Sequence, residues 1–337
     1  MKVKVAVIDS GIELYHEAFK DIHVSGNRII KKGCCLEKNE DIYDTSGHGT
    51  ACASMIVSEC PYVDIVSIGI LDRDGKSNLA ALEFALESLI NSDVSIINMS
   101  LAFNILVDQK LYRIMKKLSE QNVTIIASMS NEGNVSYPAV YDNVIGVRAG
   151  ILEKERGFWF HKGEPIQCIM DCVTPVVAVP QNKYIMIPSC NSIAAARLTG
   201  IVGKLLWKKK TNKICYKTLC DWLQNKALRN EWREDEVYTR FRVPEKRNWF
   251  VENNDPVLNR MFQVIGQYFQ KRFSDKQICD IELLTRKGPL KMEMVIPFLK
   301  YVEKTMNIKI DYLKVNRYHL IKSFPDRRTI ENSDLCA

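Results

Sequence analysis

Five short apolar runs recur through the first half of the chain: Val3 to Ile8, Val63 to Leu71, Ser95 to Leu101, Val123 to Met129 and Asn143 to Ala149. Predominantly apolar runs of this length predict strands buried on both faces, as in a parallel sheet. The stretches between them have helical texture. Asn78 is placed to cap LAALEFALESLIN, and LYRIMKKLSEQ precedes the fourth run. Alternating strands and helices predict a doubly wound α/β layer, with chemistry just past the carboxyl ends of the strands. A further helix, led by Ser192, runs from small residues into Leu205-Leu206-Trp207 and a basic end. Lysines there suit the negative pole of the helix dipole.

Beyond about Lys210 the pattern changes. Residues 211–254 are polar and charged, without a strong period, and read as a connecting region. Residues 255–324 read as a smaller helical domain built from PVLNRMFQVIGQYFQKRF, LKMEMVIPFLKYVEKTM and IKIDYLKV. Residues 325–337 read as a tail. The expected organisation is thus an α/β domain over 1–210 followed by a smaller helical one.

Composition narrows the class. The chain has 337 residues, 46% hydrophobic and 26% charged, the balance of an ordinary globular protein. A net charge of +7 permits weak attraction to anions, but no aromatic-basic reading motif points to nucleic acid. No apolar run is long enough to span a bilayer. Eleven cysteines are an odd number for a closed disulfide framework, and no C-x-x-C pairs suggest zinc. The chain starts directly in a strand, without an export segment. A cytoplasmic protein with reduced thiols is the expectation, and nothing in the pattern calls for a cofactor or metal, calcium included.

Three polar side chains stand out against this background. Asp9 ends the first run, His48 lies between two glycines in SGHGTACAS, and Ser192 leads the last helix of the first half. A serine hydroxyl is a poor nucleophile unless a base is in reach and an orienter fixes the base's tautomer. The order Asp, His, Ser supplies all three. Asn131, in IIASMSNEG, adds a neutral donor for a developing oxyanion. Each residue alone has a blander reading: a turn Asp, a structural His, a Ser helix cap, an Asn in a turn. Cys52, four residues past His48, would share its helix face and reads first as a small buried hydrophobe. Cys190 is a weaker candidate nucleophile than Ser192.

These segments resemble the subtilisin-like serine proteases, the subtilases, over about residues 1–210. The likeness rests on DSG at 9–11, HGT at 48–50, SIINMSL, the N-E-G turn at 131–133, YPA at 137–139 and the serine-led helix. It implies a three-layer parallel-sheet fold and catalysis by Asp9, His48 and Ser192, with Asn131 as oxyanion donor. It also implies that Ser100, Leu101 and Ala102 pair with an extended substrate peptide. The nucleophile block departs from the usual G-T-S-M-A-x-P, reading Cys190-Asn191-Ser192-Ile193-Ala194-Ala195-Ala196. Ala102 and Ser130 stand where the family usually has glycine beside the first specificity pocket. Their extra atoms predict a narrow pocket and a small residue before the cleaved bond.

Residues 255–324 are more weakly similar to an acyl or peptidyl carrier domain. The position that would bear the phosphopantetheine serine reads Gly288-Pro289-Leu290, so no prosthetic group could attach. Such a module would dock a partner or a substrate leader. The function expected is a cytosolic serine endopeptidase that processes a specific peptide or protein, for example by removing the leader of a ribosomally made peptide. The competing reading is a catalytically weak or inactive peptide-binding protein on the same fold.

Overall fold

The computed structural model describes residues 2–103, 109–131, 136–152, 157–172, 174–237, 256–270 and 290–315. They form two compact units. The first is drawn from Met1–Cys172, Ala178–Lys183 and Ser189–Arg240, the second from Val173–Val177, Tyr184–Pro188 and Phe241–Ala337.

The first unit contains β1 (Val3–Asp9), β2 (Val24–Lys32), β3 (Cys35–Asn39), α1 (His48–Glu59), β4 (Val63–Gly69), α2 (Leu79–Glu87), β5 (Ile96–Met99), α3 (Gln109–Glu120), β6 (Thr124–Ser128), β7 (Ile145–Gly150), β8 (Phe158–Phe160) and β9 (Cys168–Asp171). After a two-stranded sheet of β10 (Val176–Val179) and β11 (Lys183–Met186) come α4 (Asn191–Lys208), α5 (Tyr216–Lys226) and the single-turn α6 (Glu234–Val237). Nine strands line up as β3-β2-β4-β1-β5-β6-β7-β9-β8. The pairings from β2 across to β9 are parallel, and β3 and β8 are antiparallel edges. The five apolar runs are β1, β4, β5, β6 and β7, the centre of this sheet.

Register explains where the chemistry falls. β1 runs beside β4 from Val3↔Val63 to Asp9↔Gly69, and beside β5 from Val5↔Ile96 to Ile8↔Met99. The strand order turns back at β1, so the carboxyl ends of β1 and β5 border the crevice that such sheets leave for ligands. Asp9 ends β1 and Ser100 follows β5 at that edge. Helix α3 buries Leu111, Ile114, Met115 and Leu118, the spacing of one helical face. Asn78 caps α2 by accepting from the Ala81 N–H at 2.9 Å. Residues 211–254, read as connecting sequence, hold α5 and α6. No helix among the described residues is long and apolar enough to cross a membrane.

In the second unit, α7 (Pro256–Tyr268) and α8 (Val295–Met306) enclose a core that includes Val264, Ile265, Phe298, Leu299 and Val302. The run IKIDYLKV, expected to be helical, holds only a three-residue 3₁₀ turn at Tyr312–Lys314. Ile308 and Ile310 keep the backbone out of the helix and bury their side chains in the core. Asp311 starts the turn by accepting from the Leu313 N–H. Gly288 and Pro289 lie outside the described residues.

Candidate active site

The site is assembled at two helix starts. Helix α1 begins at His48, and its Nδ1 lies 2.7 Å from Asp9 Oδ1. Asp9 is buried at the end of β1, whereas the His48 side chain is 37% exposed, so one face of the ring meets solvent. Close approach of helix and strand depends on Gly49: a Cβ there would sit 2.1 Å from the Gly11 carbonyl oxygen and 3.2 Å from Asp9 Cβ.

A second buried carboxylate, Asp44, holds this helix start in place. Its Oδ1 accepts from the N–H of Gly47 (2.8 Å) and Ser46 (3.1 Å) and from the Ser10 hydroxyl (2.7 Å). Its Oδ2 accepts from the Thr50 N–H (2.8 Å) and hydroxyl (2.6 Å). Ser10 Oγ in turn accepts from the Gly49 N–H at 3.0 Å. Asp44 thus does the work of an N-cap from three residues outside it, since the cap residue Gly47 offers no side chain. The sequence reading missed Asp44 and Ser10. The signal was an acidic residue four positions before the histidine in DTSGHGT.

The Asp9 carboxylate favours the imidazolium and lifts His48 well above the usual imidazole range; the Cys52 sulfur adds to this, and burial opposes it. Cys52 Sγ lies 4.0 Å from His48 Nδ1, on the shared helix face that the spacing predicted. Burial pushes the Cys52 thiol up and the Cys190 thiol up. Buried thiols of this kind are poor nucleophiles. Asp9, His48 and Cys52 also present one donor atom each within 4.8 Å of one another, a set that a soft metal ion could occupy only by taking the base.

Ser192 lies in the first turn of α4. The helix begins one residue earlier than its serine-led sequence suggested, because Asn131 Oδ1 accepts from the Asn191 N–H at 3.2 Å. Cys190 then holds the cap position without a side-chain hydrogen bond. Ser192 and Ser100 are tied reciprocally: Ser100 Oγ donates to the Ser192 carbonyl oxygen (3.0 Å), and Ser192 Oγ donates to the Ser100 carbonyl oxygen (3.3 Å). Behind them Asn98 Nδ2 donates to Ser100 Oγ (3.1 Å) and Thr199 Oγ1 to Asn98 Oδ1 (2.9 Å). Cys52 touches both His48 and Ser100, so the Asp9–His48 pair and the Ser100–Ser192 pair form one cluster. No hydrogen bond joins His48 to Ser192 among the described residues. Such bonds are often loose until substrate binds.

Of the expected substrate-pairing residues, Ser100 and Leu101 are buried, Ala102 is exposed and Ser130 is half-buried. Ser130 N–H donates to the Ser136 hydroxyl at 2.8 Å. Asn131 is exposed, with Oδ1 engaged by the Asn191 N–H. Glu132 and Gly133 lie outside the described residues.

The helices bearing His48 and Ser192 are also joined where the last turn of α1 meets the middle of α4. Buried Arg197 of α4 donates from Nε to Glu59 Oε1 of α1 (3.1 Å) and from its guanidinium to the Asp171 carbonyl oxygen (2.7 Å). Gly200 lets the helices touch: a Cβ there would meet Glu59 Cβ at 2.6 Å.

Comparison with known proteins places the chain in a family. The model of the subtilase family matches residues 1–262. A thermostable alkaline protease of Halalkalibacterium halodurans is 27% identical over 211 residues, covering 59% of this chain and 55% of that protein. Subtilisin DY of Bacillus licheniformis is 26% identical over 226 residues, 62% of this chain and 78% of its own length. The minor extracellular protease Epr of Bacillus subtilis is 31% identical over 160 residues, 44% of this chain and 23% of Epr. The chain therefore spans about half the length of the alkaline protease and a smaller share of Epr. Among solved structures, a cold-adapted subtilisin-like serine proteinase aligns with a TM-score of 0.55 at 18% identity, covering 67% of this chain and 84% of that one. That likeness concerns the fold.

Proposed function

The chain belongs to the subtilase family, and on that premise we propose that it is a serine endopeptidase in which Ser192 attacks the peptide carbonyl. The observation that carries this reading is the 2.7 Å Asp9–His48 pair in one cluster with a serine at a helix start. Ser192 Oγ forms the new bond to carbon while its proton passes to His48 Nε2. The carbonyl oxygen takes the negative charge and is met by Asn131 Nδ2 and the Ser192 N–H, a donor that the first helical turn leaves without an intrahelical acceptor. His48 then gives the proton to the departing amine, and water repeats the sequence on the acyl-enzyme.

The finer reading is a cytoplasmic processing enzyme that acts on a selected peptide or protein, such as a leader-bearing precursor, and cuts after a small residue. Nine cysteines among the described residues have free thiols, which supports a reducing compartment. The side chains of Ala102 and Ser130, standing where the family usually has glycine, support a narrow pocket. The second unit would then engage substrate or partner.

A fluorophosphonate probe tests the core of this reading. The folded protein should label at Ser192, as read by mass spectrometry of the modified peptide. Ser192→Ala should abolish labelling and lower kcat by on the order of 10⁴–10⁶. Undiminished cleavage by Ser192→Ala would overturn the assignment.

A further inference from the structure

The residue beside the nucleophile carries more hydrogen bonds than a first-turn helix residue needs. Asn191 is buried. Its Oδ1 accepts from the Ala149 N–H at 2.8 Å, at the end of β7. Its Nδ2 donates to the carbonyl oxygens of Ser130 (2.9 Å) and Met129 (3.2 Å), the two residues before Asn131. Its backbone N–H donates to Asn131 Oδ1 (3.2 Å). Every polar group of the side chain is used, and three of the four bonds reach the segment that bears the oxyanion donor.

We propose that Asn191 is a positioning residue for the oxyanion site: it clamps residues 129–131 to the start of α4 and fixes which way the Asn131 amide faces. The backbone bond admits only one orientation. Asn191 N–H is a donor, so Asn131 must turn Oδ1 toward it and Nδ2 away, toward the place where charge develops beside the Ser192 N–H. A flipped amide would set an oxygen against that charge. The side-chain bonds hold the loop at the height this requires, since a donor displaced by about 1 Å loses much of its effect. An amide suits the position because it bonds two carbonyls and one N–H without adding charge. A carboxylate there would face the Ser130 and Met129 carbonyls and place a negative charge beside the developing oxyanion. The unusual Cys190-Asn191-Ser192 block is thus a working solution with an amide where the family usually has a smaller neighbour.

This inference rests on Ser192 acting as the nucleophile, and the test separates the two claims. The readout is the second-order rate of labelling by a fluorophosphonate, whose phosphoryl oxygen needs the same donors. Thermal melts establish that each variant is folded. Asn131→Leu should slow labelling by about 10²-fold. Asn191→Ala should slow it by about 10-fold or more, and Asn191→Asp by more than Asn191→Ala. In the Asn131→Leu background, Asn191→Ala should cost less than about threefold, because the donor it positions is gone. If Asn191→Ala does not fold, Asn191→Ser in the same cycle gives the coupling. Additive losses, or Asn191 variants that label as fast as the parent, would overturn the positioning role while leaving the nucleophile in place. A folded parent protein that does not label at Ser192 would overturn both claims.

Discussion

The two helix starts that meet at the site are stabilised by opposite means. Helix α1 begins against charge: Asp44 satisfies its first donors with a full carboxylate, and Asp9 places a second one against His48. Helix α4 begins against neutral groups: the Asn131 amide takes the first N–H, and Asn191 holds the loop through carbonyls. Under the proposed mechanism, the difference matches the charge each end must bear during acyl transfer. The base becomes cationic, so buried anions near it help. The carbonyl oxygen becomes anionic, and an anion at the start of α4 would spend the helix dipole that the reaction uses. A subtilase site is in this sense two helix N-termini of opposite electrostatic preparation.

The sharpest way to break the contrast is to remove charge from the α1 side. Asp9→Asn keeps the shape but fixes the wrong tautomer, and kcat should fall by about 10⁴. The pH dependence should move as well. Catalysis needs neutral His48, and Asp9 is the main cause that lifts this group. The acid limb of kcat/KM in the residual activity of Asp9→Asn should therefore shift to lower pH. Stability should follow the same linkage. The raised folded-state value means that the pair contributes fully below the free-histidine value of about 6.5 and loses that contribution as pH rises through the folded-state value. The stability gap between the parent and Asp9→Asn should be wider at acid than at alkaline pH in denaturant titrations. A gap that widens with pH would contradict the charge assignment.

Asp44 gives the next largest effect, mainly on stability. Asp44→Ala leaves the Thr50 hydroxyl and the N–H groups of Gly47 and Thr50 buried without their acceptor, while the Ser10 hydroxyl can still donate to Asp9 Oδ1. At about 1–3 kcal/mol for each buried orphan, a loss of roughly 3–5 kcal/mol is expected as a lower denaturation midpoint. Asp44→Asn, which keeps one acceptor oxygen, should recover part of it. Equal losses from the two would mean that the carboxylate is not acting as the cap.

This asymmetry also marks how far the sequence could be read. β1, β4, β5, β6 and β7 were legible because strands buried on both faces leave predominantly apolar runs. β2 and β3 were not, since half-exposed and edge strands such as VSGNRIIKK carry polar residues at most positions. Asp9, His48, Asn131 and Ser192 were legible from their local blocks; the structure bonds Asp9 to His48, Ser192 to Ser100 and Asn131 to Asn191. Asp44, Ser10 and Asn191 act through backbone donors brought together by the turn into α1 and by the β6 and β7 ends. Those juxtapositions leave little trace in spacing. The Arg197–Glu59 bridge spans 138 positions and is set wholly by helix packing. Residues 308–315 misled through a brief amphipathic pattern that β-branched isoleucines and Asp311 turn into an extended segment and a short turn.

The smallest expected effect concerns the neutral side and its specificity. Ser130 precedes Asn131, and its carbonyl oxygen is already held by Asn191. Its N–H is held by Ser136. The backbone is therefore fixed at both polar atoms, and Ser130→Gly removes side-chain volume with little freedom for the loop to move. If the half-buried Ser130 side chain narrows the pocket, Ser130→Gly should raise kcat/KM for peptides with Leu or Phe before the cut, relative to Ala, by about 10-fold. That is the range a few buried methylenes confer. The rate for the Ala peptide should stay within about threefold, because Asn131 keeps its anchor on the Asn191 N–H, whereas Asn191→Ala should slow both peptides alike. A Ser130→Gly variant that slowed every peptide equally would place Ser130 with the oxyanion machinery, and a parent protein that preferred Phe or Leu would remove the narrow pocket altogether.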